Sequence, residues 1–339
     1  MYVKYFIQKI LLSIMSLAFF CSIFGTVTYA WFSLHKQNQL SNLGIELITG
    51  DEFQISLDGI NFSSEIKTEE IERFIGGKAR LVDVTSFDGE TFSFGILNED
   101  RGIPEPNKDY LSFPLYFRTT LRQKYVYLVD NVSSLVQYDM VRDGTYVVSR
   151  GVVWRADTTF LNGPDPAKDL VLPGNRLTMY ASEAVRVGIV EEKVDWNHLD
   201  ERNPFELHKK IFDLSGNQER GYGFPYGGIS YFNSKHRDRL TPPEERPMTV
   251  YQLSAFDEEY NPYVALTRDS EILEMVKTEL LDEKGNPYYV GKVIVNIWLE
   301  GWDADCFNAI YADSIRIRLK FRSGNPIMQP HQPVINLKN

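Results

Sequence analysis

Cysteine is almost absent from this chain of 339 residues, which carries two, Cys21 and Cys306. They fall on opposite sides of the boundary drawn below, so no intramolecular disulfide is expected, and a folded part must be held by its core. CxxC and HExxH motifs, a GxSxG elbow and a glycine-rich phosphate loop are all missing. The histidines (His35, His198, His208, His236 and His331) are scattered without ligand spacing. Cys306 has an acidic neighbour, Asp305, and no basic one to lower its pKa. No catalytic constellation is legible, and the chain reads as a protein that is not an enzyme and needs no cofactor. Positive charge is also short: 36 Lys and Arg stand against 46 Asp and Glu, a formal net charge of -10. A nucleic-acid partner is thereby disfavoured, since phosphate binding wants a basic face.

Charge of either sign is missing between Ile10 and Phe32, where no Asp, Glu, Lys, Arg or His occurs. As a helix this run is roughly 35 Å long, against about 30 Å of bilayer hydrocarbon. It satisfies its own backbone groups, so it can cross lipid. Two readings stay open. Lys4 and Lys9, the apolar middle, and Thr28 and Ala30 match a cleaved export signal. The length of the run and its exit through Tyr29, Trp31 and Phe32 match an uncleaved anchor with interfacial aromatics. In either case the basic head 1–9 stays in the cytosol, and the bulk of the protein lies outside.

What is present beyond that run is strand material. Aromatic residues make up 13% of the chain, and with abundant Val, Ile and Thr they favour β-structure. Residues 33–42 are polar and aperiodic, a short stalk. Phe53, Ile55 and Leu57 alternate with polar residues before an Asp58-Gly59 turn, and a hairpin is expected around Asp88-Gly89. Glu65 to Phe74 has the spacing of a short helix. LSFPLYFRTT and KYVYLVDN are strands, Pro114 placing the first at an edge or a bulge. Asp157 to Asn175, with three prolines, reads as a surface loop. AVRVGIVEE sets Val185, Val187 and Ile189 on one face and Arg186 on the other. From 195 to 248 the regular pattern stops, and the aromatics of GYGFPYGGISYF are expected to tuck against a sheet. Residues 270–281 suit a helix or a strand.

The end of the chain is the clearest. Val293, Val295, Ile297 and Leu299 share one face. Ile315, Ile317, Leu319 and Phe321 then oppose Arg316, Arg318, Lys320 and Arg322, the alternation of an antiparallel strand with one dry face. A slip of one residue would bury four cations, so its register is firmly set. Between these strands lies EGWDADCFNAIYAD. Trp302, Asp303 and Asp305 are the candidate ligand-binding residues: bunched carboxylates suit Ca²⁺, and Trp302 suits a sugar ring. The spacing is not that of an EF-hand. The plainer reading is a solvated loop with Trp302 and Phe307 plugging the core.

The segment GTVTYAWFS resembles the export signals of Gram-positive surface and matrix proteins of the TasA/camelysin kind, and VIVNIWLEGWDADCFNAIYADSIRIRLKF resembles closing strands of surface proteins from such bacteria. The resemblance covers the two ends of the chain and not its middle. It implies a jelly-roll fold and assembly into extracellular fibres by strand exchange. The chain departs from the family in its length and its proline-rich insertions.

The expected architecture is mainly β. A basic head (1–9), a transmembrane or signal helix (10–32) and a stalk (33–42) precede an antiparallel β-sandwich or jelly-roll-like ectodomain (43–323). That domain carries long loop insertions, chiefly 195–248, and a tail (324–339) follows it. The expected role is a membrane-anchored or secreted bacterial surface protein, a matrix or envelope component contacting itself, other surface proteins or glycans. The alternative is a glycan- or ligand-binding surface module.

Overall fold

The computed structural model describes residues 14–17, 19–20, 38–48, 52–78, 80–96, 102–237 and 239–327. Two compact units are distinguished, Met1–Gln37 and Asn38–Asn339. The described part of the first is helical, within 14–20. The head 1–9, nearly all of the apolar run 10–32, residues 33–37 of the stalk and residues 328–339 of the tail lie outside the described residues. Among the described residues no helix is long and apolar enough to cross a membrane.

The second unit is mainly β, with two nine-stranded sheets and two two-stranded ribbons among the described residues. The first sheet is built around the strand Ser314–Pro326. Asn38–Ile48 lies along one side of it, parallel, while Tyr146–Ser149 and Tyr125–Leu128 lie on the other side, antiparallel. The second sheet is built around Pro287–Glu300, flanked antiparallel by Val185–Glu192 and Leu111–Thr119. Lys209–Phe212 extends it beyond the former and Phe53–Ser56 beyond the latter.

Side-chain alternation decides which faces are dry. Val293, Val295, Ile297 and Leu299 are buried, as are Ile315, Ile317, Leu319 and Phe321. Both sets belong to one apolar cluster together with Phe113, Leu115 and Phe117, so the two sheets share a core. Phe117 of the second sheet meets Phe321 of the first edge-on, ring centroids 5.2 Å apart. Burying a side chain of this size stabilises by about 1.5–3 kcal/mol, which makes the register of these strands costly to change. Pro114, within Leu111–Thr119, lies beyond the reach of Phe53–Ser56, which pairs with Tyr116 to Thr119. Its missing N–H therefore breaks no ladder on that side.

The cations facing away from this core fasten loops to the back of the first sheet. Arg316 donates to the carbonyls of Tyr138 and Met140. Arg318 pairs with Glu46, Lys320 with Asp143 at 2.7 Å, and Arg322 with Glu258. The back of the second sheet is covered by a hairpin, Asp83–Thr85 with Ser93–Phe94. Its Phe92 meets Trp298 edge-on at 5.2 Å, and Asn296 Nδ2 donates to Gly89 O at 2.8 Å.

The two Asp-Gly turns are the same device used twice. Asp58 Oδ1 accepts from the amides of Ile60 and Asn61, and Asp88 Oδ1 from those of Glu90 and Thr91. Ser56 and Ser86 accept from Gly59 and Gly89, which sit at φ 71° and 75°. The flanks pair in the same register, Ile55 with Ser63 and Thr85 with Ser93. A side chain that closes the turn on its own backbone replaces ladder bonds that the tip cannot make.

Several expectations need correction. Residues 38–42 of the presumed stalk are sheet, because Asn38–Ile48 finds a parallel partner in the last strand. Ser314–Pro326 is therefore not purely antiparallel, and it runs past 323 into the presumed tail. The loop 157–175 contains a small hairpin, Phe160–Leu161 with Leu170–Val171, anchored by the buried Phe160. The insertion 195–248 contributes the strand Lys209–Phe212 and the helix Gly228–Lys235, with Tyr226 and Tyr231 buried. Thr68–Ile75 is helical, as its spacing predicts, and 270–281 is strand, broken at Met275.

Candidate functional site

The acidic loop after Glu300 turns inward. Asp303 and Asp305 are both buried, and Trp302 is half-buried. Asp303 pairs with Arg186, whose Nη2 also lies 2.9 Å from Asp213 Oδ2. Asp305 is held in a fork by Arg220, with Nη2 at 2.7 Å and Nε at 2.9 Å. The two candidate carboxylates thus face guanidinium groups rather than solvent. Trp302 is held by its backbone, donating to Glu300 Oε1 at 3.1 Å and accepting from Gly223 N at 2.8 Å. Phe307 does plug the core, packed against Trp154, Phe160 and Tyr231. Among the described residues no group of three or more His, Cys, Asp or Glu is arranged to hold a metal ion.

Arg186 is the centre of this cluster. It lies on the face of its strand opposite Val185 and Val187, as the alternation predicts, yet it is only 2% exposed. Burial by itself would lower the pKa of such a guanidinium; Asp213 and Asp303 outweigh that and hold it raised. Burial pushes up the carboxyls of Glu300 and Asp303, Arg186 opposing the effect in both.

Glu183 lies half-buried beside this cluster. Burial, then Asp305 and Asp213, push its carboxyl up to about 7, with Arg220 and Arg186 pulling the other way. A carboxyl raised that far and lining a cleft is a functional-site candidate on physical grounds. The cleft has a volume of about 440 Å³ and is lined on one side by Val147 to Arg150, on the others by residues 133–138 and 180–183 and by Ser215.

The Val147 to Arg150 wall is a strand edge. Arg150 N donates to Ser314 O at 3.0 Å, so residues 146, 148 and 150 turn their backbone groups to the last strand. Those of Val147 and Ser149 turn to the cleft. Val147 N is taken by Ser133 Oγ at 3.1 Å. Val147 O and the N–H and C=O of Ser149 have no partner among the described residues. The Ser149 hydroxyl is engaged elsewhere, with Ser182 Oγ at 3.2 Å.

Arg150 is exposed at the end of this edge, its guanidinium 4.8 Å from the centroid of Tyr138. Arg316 lies 5.8 Å from the same ring. No carboxylate among the described residues pairs with Arg150. Sequence reasoning missed Glu183, Arg150, Tyr138 and Tyr180. They come from separate loops with no shared motif, and only the folded chain brings them together.

No known protein family, no curated protein and no solved structure matches this chain.

Proposed function

We propose that this chain is an exported or membrane-tethered surface protein of structural or adhesive type. Its ectodomain, read as a two-sheet sandwich, makes contacts with itself or with other surface molecules. The observation that supports this most is the edge of Tyr146–Ser149 that faces the cleft and has no strand partner among the described residues, since unpaired strand groups are a ready template for another chain. The basic head and apolar run before the folded unit support delivery to a membrane. Light scattering on residues 33–339 over a concentration series is the test. Growth into large species is expected; a fixed monomer at every concentration removes self-association.

The hydroxyl-rich cleft favours a second reading, a glycan-binding module. Ser134 and Gln137 offer donors and acceptors, and Tyr138 and Tyr180 ring faces, in about 440 Å³. In that case the chain stays monomeric and retains cell-wall oligosaccharide. If the half-buried Trp302 is a second stacking face, Trp302→Ala weakens that retention; unchanged retention rules Trp302 out.

A further inference from the structure

We propose that the cleft beside Tyr146–Ser149 receives an extended acidic peptide segment, which adds to the Ser149 backbone as a strand and sets a carboxylate against Arg150. The inference rests on the interaction reading above and names the occupant. Three observations converge on it.

The first is backbone geometry. Ser149 turns both its N–H and its C=O into the cleft, the pair through which one strand residue exchanges two bonds with a neighbour. A polypeptide strand matches that spacing with its own N–H and C=O. The second is size. Val147 to Arg150 spans roughly 10 Å at about 3.3 Å per residue, and a volume of about 440 Å³ suits a segment of three or four residues.

The third is charge. The chain carries a formal net charge of -10, yet two guanidinium groups gather at the Tyr138 ring, and Arg150 has no acidic partner among the described residues. Stacking on Tyr138 holds Arg150 beside the edge at little further entropic cost. A carboxylate on the incoming strand would complete it with a charge-assisted bond. Glu183 is the one acid in the cleft wall, and below about pH 7 it is protonated and does not repel such a ligand.

The test uses the full chain in detergent and fluorescence anisotropy with three labelled tetrapeptides, Val-Glu-Val-Glu, Val-Ser-Val-Ser and Val-Lys-Val-Lys. The acidic peptide should bind at least tenfold tighter than the lysine peptide, and more tightly at pH 6 than at pH 8. Ser149→Pro deletes the outward N–H and leaves the bonds to the last strand intact, so it should weaken binding at least tenfold. Arg150→Glu should do the same for the acidic peptide alone. Both variants are checked for parental thermal unfolding. Equal binding of the three peptides, or undiminished binding by a folded Ser149→Pro chain, overturns the proposal. A chain that self-associates in scattering yet ignores the acidic peptide overturns this occupant and leaves the interaction reading standing.

Discussion

His208 and Glu271 join the two sheets. The imidazole follows the turn into Lys209–Phe212 of the second sheet, and its Nε2 lies 3.1 Å from Glu271 Oε1 on the first. Its Nδ1 lies 2.6 Å from Glu191 Oε2, back on the second. Arg202 completes the group, 2.5 Å from Glu191 and bonded to the carbonyl of Glu274 at 3.0 Å. The cluster sits where the chain leaves one sheet at Glu274 and enters the other at Val276.

Burial alone would lower the pKa of His208, but Glu191 and Glu271 raise it to about 9. A folded-state value above the unfolded one of about 6.5 gives stability that is complete below about pH 6.5 and lost as pH rises through about 9. Thermal unfolding should fall across that window by several degrees, reflecting roughly 2 kcal/mol after allowance for the exposed part of the ring. His208→Gln should flatten the profile between pH 6 and 9. On the acid side Glu271, held near 2 by His208, Arg268 and Tyr127 against the effect of burial, contributes stability lost as pH falls from 4.5 toward 2.

Arg186 is the counter-charge on which the inward acidic loop depends. Arg186→Leu leaves Asp213 and Asp303 buried without it and should cost about 3–5 kcal/mol in urea unfolding. Adding Asp213→Asn and Asp303→Asn should recover more than half of the loss. A single-variant cost under about 1 kcal/mol would show that the cluster is hydrated rather than dry.

Gly227 locks the 195–248 segment to the acidic loop. It sits at φ 58°, its N–H donates to Leu161 O at 2.9 Å, and a Cβ there would overlap the Ala304 carbonyl. Gly227→Ala should destabilise by roughly 2–4 kcal/mol. Gly216→Ala, at φ 77° with open space around it, isolates the backbone effect and should cost about 1 kcal/mol.

The Cys306 thiol is buried and free, and burial among Asp83, Asp303 and Glu300 pushes it well up. A thiol reagent should therefore be inert toward Cys306 in the native Cys21→Ser chain and react only at the rate of opening. Stoichiometric labelling within seconds under native conditions would contradict this placement.

The strongly periodic strands were legible, because their alternation records a dry core on one side and solvent or loops on the other. Ile315 to Arg322 is the clearest instance. The partner of that strand was not legible: local pattern says nothing of which distant segment lies alongside, and the polar 38–42 stretch gave no hint of pairing with it. The alternation places Arg186 on the face opposite Val185 and Val187, but a period of two reports the face and not what covers it. The acidic loop looked solvated for the same reason. Its carboxylates are stable inside only because Arg186 and Arg220, both more than eighty residues away in sequence, arrive to meet them.

The parallel pairing of Asn38–Ile48 with Ser314–Pro326 has a mechanical consequence. The first of these strands begins at Asn38 and the last ends at Pro326, at opposite ends of the pair. Tension between them pulls along the strands, so the ladder from Gln39–Ser314 to Ile48–Arg322 is loaded in shear and its bonds must fail together. A hairpin pulled at its open end loses them one by one. Single-molecule stretching between residues 38 and 326 should give one high-force rupture, and stretching between 48 and 322 should give a lower one.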